Sequence, residues 1–235
     1  MLSYLRALAL ATIVLSGGCN EIVETQAPTV TADLQSIAVD PGADESQFEV
    51  RDLGEGISIS VPRHWFVLDE TMRANLSASA EARLRQSGHG WTGTQSLLAM
   101  NAAPSSPGAM LRVSVKSPAE LREQDFEAYI RNGQQELLAA LRTEQATMVA
   151  SLQAGGVNVV ESFEPQIMRI GGHPAVLLRY QRASSIAGAG DMVVRQFHIA
   201  SNDRTVVVTL SHRAAEAPIW TPILDYSLAS ISISD

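Results

Sequence analysis

The sequence predicts an α+β fold in which a mostly antiparallel sheet is flanked by helices, in the manner of an α/β/α sandwich. Two pairs of strand-like segments fill residues 157–212, and each pair is joined by a two-residue turn, Gly171-Gly172 or Asn202-Asp203. Earlier in the chain, one long segment has apolar residues every three to four positions, which is typical of a helix that packs on a sheet. The predicted elements follow in the order strand, helix, strands, long helix, four antiparallel strands and closing helix.

The folded part of the chain is predicted to begin near residue 48. Apolar and polar residues alternate over Ile57–Val61, which predicts a strand that Pro62 ends, and Trp65 follows where a core residue is expected. The spacing of Met72, Leu76, Ala80 and Leu84 predicts a helix over Thr71–Gln86.

Two further strands are predicted over Ser96–Met100 and Met110–Lys116, joined by a segment rich in proline and glycine. A long helix is then predicted to start at Ser117, with Pro118 in its first turn and Glu120 completing a capping box. Its apolar face runs to about Leu152, and Gly155-Gly156 ends it.

The two hairpins are specific enough to predict which residues pair. A type I′ turn at Gly171-Gly172 places Phe163 opposite Tyr180 and Glu164 opposite Arg179. The turn at Asn202-Asp203 places Phe197 opposite Val208, Ile199 opposite Val206 and Arg195 opposite Leu210. A closing helix is predicted over Ala214–Ile231.

A family resemblance covers residues 48–235. It depends on the strand followed by Pro62-x-x-Trp65, the long middle helix, the hairpin sequence Gly171-Gly172-His173-Pro174-Ala175, and the terminal Ile-Ser-Ile-Ser. These features resemble the PsbP/DcrB-like families of the Mog1/PsbP fold. The resemblance implies that fold and the broad role of an exported accessory protein. It transfers no catalytic residues.

The N-terminus predicts export. Residues 1–18 contain one positive charge, an apolar run over Ala7–Leu15 and three small residues, and the single cysteine, Cys19, follows. The apolar run is shorter than the ~20 residues that a membrane-spanning helix needs. The pattern resembles a lipoprotein signal in which Cys19 is lipidated, and Asn20 indicates the outer membrane, facing the periplasm. The alternative is an ordinary secretory signal followed by an unused thiol.

Residues 19–47 are predicted to form a flexible acidic tether. Residues 20–56 contain nine acidic residues and one basic residue, and the difference equals the net charge of −8 of the whole chain. A tether of about 30 residues would reach on the order of 30 Å. The rest of the chain is nearly neutral and has no basic patch, so nucleic-acid binding is not expected.

The loop Gly88–Gly93 satisfies the pattern G-x-G-x-x-G. A dinucleotide site needs this pattern between a strand and a helix, whereas here it follows a helix and precedes a strand. We therefore interpret the loop as a possible contact element that presents His89 and Trp91. In the alternative interpretation, Trp91 folds back onto the sheet.

Signatures of chemistry are weak elsewhere. The five histidines form no zinc-binding pattern, and no serine lies in a nucleophile motif, so neither a cofactor nor a metal is expected. The predicted second hairpin brings four polar residues to one face of the sheet: Gln196, His198, Thr209 and Ser211. This set is either a solvated or rim face, or a shallow pocket between sheet and helix.

Three functions remain open from the sequence. The first is a non-catalytic, lipid-anchored envelope protein that binds an envelope protein partner. The second is a periplasmic small-molecule or metal-binding module that uses the polar face. The third is a hydrolase whose catalytic residues meet only in the folded chain.

Overall fold

The computed structural model describes residues 35–36, 45–86, 95–105, 108–119, 121–184 and 190–234. It confirms the α+β class, because a large, mainly antiparallel sheet and a small sheet are packed with four helices. The helices are α1 (Glu70–Gln86), α2 (Glu123–Asn132), α3 (Gln134–Ala154) and α4 (Ala217–Ala229).

Eight of the described strands form the large sheet, in the order β1-β7-β8-β9-β10-β6-β5-β4. They are β1 (Gln35–Ser36), β4 (Phe66–Val67), β5 (Gln95–Ala103), β6 (Ala109–Ser117), β7 (Val159–Ile170), β8 (His173–Ala183), β9 (Asp191–Ser201) and β10 (Arg204–Arg213). The small sheet has the order β11-β3-β2, with β2 (Phe48–Asp52), β3 (Ile57–Pro62) and β11 (Ser232–Ile233).

The two faces of the large sheet are covered by different elements. The small sheet and α4 pack on one face, where Leu111, Phe197 and Leu210 are buried in the largest apolar cluster. On the other face, α3 packs on the β7–β8 half of the sheet through Leu137 and Leu141, and α2 adds Phe126. We call these the α4 face and the α3 face.

The second hairpin has the predicted register. Phe197 pairs with Val208, Ile199 with Val206 and Arg195 with Leu210. Adjacent side chains alternate between the two faces, so the β9–β10 pattern assigns each residue to the α4 face or the α3 face as expected.

The predicted pairing of the first hairpin is correct only next to its turn. It holds from Ile170–His173 to Gln166–Leu177, but a bulge between Phe163 and Gln166 then shifts the register by one residue. Phe163 therefore pairs with Arg179, and not with Tyr180. Pro165 lies in the bulge and has no N–H to donate to a ladder, which accounts for the irregularity.

The new register changes the contacts of both predicted pairs. The Arg179 guanidinium lies 3.9 Å from the centre of the Phe163 ring, so a cation–π contact replaces the aromatic pair. Glu164 is paired with Arg142 of α3 at 2.7 Å, and not with Arg179.

The long middle helix is divided into two. Ser117 remains in β6, where it pairs with Gln95, and the helix starts only at Glu123. The predicted capping box is therefore wrong. Gly133 then separates α2 from α3, because its backbone leaves the helical region, with φ −156° and ψ 38°. The apolar spacing continues across this break because both helices face the same sheet.

Other boundaries agree more closely. Trp65 is buried and meets Trp220 edge-on at 5.9 Å, as a core position requires. The closing helix ends at Ala229, and Ser232–Ile233 forms β11, which the sequence did not predict. Within the predicted tether, Gln35–Ser36 pairs in parallel with β7, and Glu45–Gln47 forms a short 3-10 helix. The tether itself stays a prediction.

Candidate functional site

The four predicted polar residues lie on the α3 face and continue into β6. Gln196 pairs with Thr209, which pairs in turn with Arg112, and Thr205 pairs with Lys116. Alternation along the strands places all of these side chains on the same face. We call the set the polar strip: Arg112, Ser114, Lys116, Gln196, His198, Thr205, Thr209 and Ser211.

The four predicted residues are buried. Gln196 is 1% exposed and His198 is 8% exposed, while Thr209 and Ser211 are similarly covered. The interpretation as a solvated face is therefore wrong, because these side chains are removed from water. The sequence missed Arg112 and Lys116, since the pairing of β6 with β10 joins segments that are about 90 residues apart.

His198 is the most unusual member of the polar strip. Neither of its ring nitrogens has a hydrogen-bond partner among the described residues. Burial, and after it the positive charge of Lys116, lowers the pKa of His198 to about 3. The imidazole is therefore neutral at ordinary pH, so it has one donor and one acceptor to offer.

The neighbouring ionisable groups are also perturbed. Burial lowers the pKa of Arg112, and the interaction with Tyr180 raises it in part. Burial also raises the pKa of Tyr180, against the charges of Arg182 and Arg112. A perturbed cluster of this kind is a candidate functional site, although structural networks in proteins perturb pKa values as well.

A small cavity adjoins the polar strip between the sheet and α2 and α3. His198 and Thr205 are its polar lining residues, and the rest of the lining is apolar: Leu121, Phe126, Leu141, Val176 and Ala200. The centre of a water molecule can occupy about 20 Å³ of it, which is room for about one water. Small-molecule sites are typically ~300–1,000 Å³, so this cavity is far smaller than a typical ligand site.

Two of the other described histidines, His64 and His212, lie apart from the polar strip. His64 is exposed, and His212 lies on the α4 face, opposite to His198. The Thr221 hydroxyl is 3.4 Å from Nε2 of His212, and Nδ1 of the same ring is 2.9 Å from the backbone oxygen of Arg213. Within the described residues, no group of three or more His, Cys, Asp or Glu side chains is placed to hold a metal.

An exposed apolar surface crosses α4 and β2. Ile219 is 60% exposed, and Pro222 and Tyr226 follow it at helical spacing on the same side of α4. The ring of Tyr226 stacks on Phe48 at 4.3 Å, and Val50, which is 72% exposed, projects from the same side of β2 as Phe48. We call this set the α4 stripe: the exposed or half-buried Ile219, Pro222, Tyr226 and Val50, together with Phe48, which is itself buried at 8% exposure.

Glu216, just before α4, links the end of β10 to the first turn of α4. Glu216 accepts hydrogen bonds from the indole of Trp220 at 2.6 Å and from Arg213 at 2.9 Å. These two bonds, in that order, lower the pKa of Glu216. The periodicity of the sequence does not predict the α4 stripe, although the closing helix has few charged residues, which could have indicated that it is apolar on all sides.

The other predicted sites lie outside the described residues. Cys19, His89 and Trp91 belong to this group, so lipidation and the contact loop both stay predictions. The loop Gly88–Gly93 joins the end of α1 to the start of β5. No described helix is long and apolar enough to cross a membrane.

The sequence matches no protein family model and no curated protein. Its fold is similar to the solution structure of the cyanobacterial PsbP protein CyanoP from Synechocystis sp. PCC 6803, with 11% identity, a TM-score of 0.46, and coverage of 84% of this chain and 98% of that one. A PsbP protein is thus among the similar structures, as the sequence resemblance implies for the fold.

Two further structures are similar at the same level. LpqN, involved in cell envelope biogenesis of Mycobacterium tuberculosis, has 10% identity and a TM-score of 0.43 over 76% of this chain and 83% of its own. A protein of unknown function from Pseudomonas aeruginosa has 16% identity and a TM-score of 0.39, and the match covers 80% of this chain and 99% of that one. Similarity at this level concerns the fold alone.

Proposed function

We propose that this protein is a non-catalytic, lipid-anchored protein of the cell envelope that binds another protein through its surface. The observation that carries the proposal is the contrast between the described surface and the described interior. The surface presents the α4 stripe, whereas the cavity beside the polar strip has room for about one water.

The α4 stripe has the composition of a contact surface. None of its five residues is charged, and it includes the aromatic pair Phe48–Tyr226, whose ring centroids lie 4.3 Å apart. Charged residues are depleted and aromatic residues are enriched at the centres of protein interfaces. The loop that contains His89 and Trp91 is the second candidate contact, argued from its sequence alone.

Photo-crosslinking in intact envelopes tests where a partner binds. A photoreactive phenylalanine analogue replaces Ile219 or Trp91. In the matched control the same analogue replaces Glu161, an exposed residue of β7, which lies toward the opposite edge of the large sheet from β5 and β4. We expect a discrete adduct from position 219 or 91 and none from 161. If all three positions give the same pattern, the proposed contact surfaces are wrong.

The Trp91→Ala variant separates contact from folding for the loop. Loss of a crosslinked partner at an unchanged melting temperature supports contact by Trp91. Lower stability with the same partner retained places Trp91 in the core and leaves the α4 stripe as the contact surface.

Fractionation of cells that express the wild type or Cys19→Ser tests the anchor. Two or three acyl chains at ~0.8 kcal/mol for each buried CH₂ make attachment effectively permanent. We expect the wild type in the membrane fraction and the variant in the soluble fraction. If both are soluble, the anchor is wrong while surface binding can still hold.

A further inference from the structure

His173 connects the start of α2 to the last strand of the protein. Its Nδ1 is 3.2 Å from Oε1 of Glu123, and its Nε2 is 3.2 Å from the backbone oxygen of Ile233 in β11. The side chain of His173 is only 14% exposed. The second oxygen of Glu123 accepts the N–H of Asn202 at 3.1 Å, so the carboxylate also holds the β9–β10 turn.

The two partners of His173 are both acceptors. A neutral imidazole has one N–H, so either neutral tautomer can donate to only one of them and turns a lone pair toward the other. Both contacts are satisfied when one further proton is bound, whether it sits on the ring or is shared with Glu123. The geometry of the pair therefore offers a place for one further proton.

We propose that His173 and Glu123 form a proton-dependent clasp that holds β11 on the domain. The clasp is closed when the pair binds its extra proton, and one of its two hydrogen bonds is lost when that proton leaves. This inference does not depend on the proposed function.

The charges of Glu127, Arg169 and Arg204 on the neighbouring elements are already engaged. Glu127, one turn along α2, pairs with Arg169 of β7 at 2.5 Å, and Arg169 also donates to the carbonyl of Gly172. Arg204 of β10 donates to the backbone oxygens of Glu55 and Ser234 and lies near the Glu55 carboxylate. Asp203, in the β9–β10 turn, contributes its backbone oxygen to Ala119. Glu123 is thus the acid that faces the ring directly.

The strand that the clasp holds is short and lies at an edge. β11 pairs with β3 through two residues, and in the described small sheet no strand lies on its other side. The His173 ring supplies the carbonyl of Ile233 with the donor that a further strand would supply. The side chain of Ile233 is buried in the main apolar cluster, so release of β11 would open one end of that core.

Amide hydrogen exchange measured by NMR tests the clasp. The reporter is the N–H of Ser234, which bonds to Gly56 at 2.9 Å, and the internal reference is the N–H of Val208 in the central strand β10. The wild type is compared at pH about 5.5 and about 8, on either side of the ordinary titration range of histidine. Protection factors remove the intrinsic effect of pH on exchange.

We expect the protection of Ser234, relative to Val208, to fall about tenfold from the lower to the higher pH, which corresponds to the loss of one hydrogen bond to a charged group. The variants His173→Gln and Glu123→Gln should each remove this dependence, and His64→Gln, at an exposed histidine, should retain it. The proposal is overturned if the wild type shows no such fall, or if the dependence persists in either clasp variant.

Discussion

The two faces of the large sheet are built from the same strands but differ in chemistry. On the α4 face, side chains from β6, β9 and β10 join the small sheet and α4 in one continuous apolar cluster. On the α3 face, two smaller apolar clusters lie mainly over β7, β8 and the edge of β9, and the polar strip occupies β9, β10 and β6. Consecutive residues therefore have opposite environments: Phe197 is packed in the main core, while His198 is buried without a described hydrogen-bond partner.

The difference indicates that the faces contribute unequally to stability. Apolar burial stabilises by roughly 25 cal/mol per Å², whereas a buried polar atom that lacks a partner costs ~1–3 kcal/mol. We expect the α4 face to supply most of the free energy of folding and the polar strip to oppose it.

The largest expected effect comes from adjacent substitutions on opposite faces. Phe197→Ala should lower the free energy of unfolding by about 3–5 kcal/mol, since it leaves a cavity in a close-packed cluster. His198→Leu conserves size and removes two unpartnered nitrogens, so it should change stability by less than about 1.5 kcal/mol in either direction. Urea unfolding at neutral pH measures both. Equal losses would contradict the proposed inequality of the faces.

The second effect is the acid sensitivity that His198 confers. Its pKa is about 3 in the folded protein and about 6.5 when unfolded, so the unfolded chain binds more protons between these values. Stability should therefore fall as the pH falls, by about 2 kcal/mol between pH 7 and pH 5 from this residue.

Urea unfolding at the two pH values, in wild type and His198→Leu, measures the acid sensitivity. The variant should lose less stability than the wild type on acidification. The same loss in both proteins would show that His198 is hydrated or partnered.

The third effect concerns Arg195 and Asp225, a charged pair within the otherwise apolar α4 face. Arg195 donates to Asp225 of α4 at 2.6 Å, while its Nε and second terminal nitrogen are buried without a described partner. Asp225→Asn should cost about 1–2 kcal/mol, because it leaves the guanidinium without its counter-charge in a partly buried place. The double variant Arg195→Met with Asp225→Asn should be more stable than the sum of the single losses predicts. Strict additivity in thermal melts would show that the two side chains are not coupled.

The smallest effect is expected at the outer surface of the α3 side. Arg142 and Glu164 form a pair at 2.7 Å, but their side chains are 52% and 56% exposed. Glu164→Gln should change the unfolding free energy by less than about 1 kcal/mol, and salt should weaken even that effect. Melts at low and high ionic strength measure it. A larger, salt-independent loss would assign this pair a structural role at the β7 bulge.

His173 and His198 are expected to respond to acid in opposite senses. Protonation completes the contacts of His173 with Glu123 and Ile233, whereas protonation of His198 places a charge beside Lys116 in a buried region. Acidification should therefore tighten β11 locally while it weakens the domain as a whole. The sequence could not distinguish them, because what differs is the set of groups that the fold brings to each ring.

The errors in the predicted fold have specific physical causes. The β9–β10 register was correct because a two-residue turn and a strict alternation fix it. The predicted β7–β8 register is wrong beyond the bulge that contains Pro165. The division of the long helix at Gly133 was not predicted, because the apolar spacing is the same on both sides of that residue. β11 was missed because two residues carry too little pattern to indicate a strand.

The sequence by itself determined the α+β class, the two hairpins, and which β9–β10 residues share a face, since turn residues and periodicity are local properties. It also predicted the export signal and the acidic segment, which depend on composition. Only the tertiary structure decided that the polar face is buried, that Arg112 and Lys116 join it, and that α4 and β2 share an apolar stripe. It also decided that His173 joins Glu123 to Ile233, which is 110 positions further along the chain. These features arise from contacts between distant segments, and no local pattern in the chain encodes such contacts.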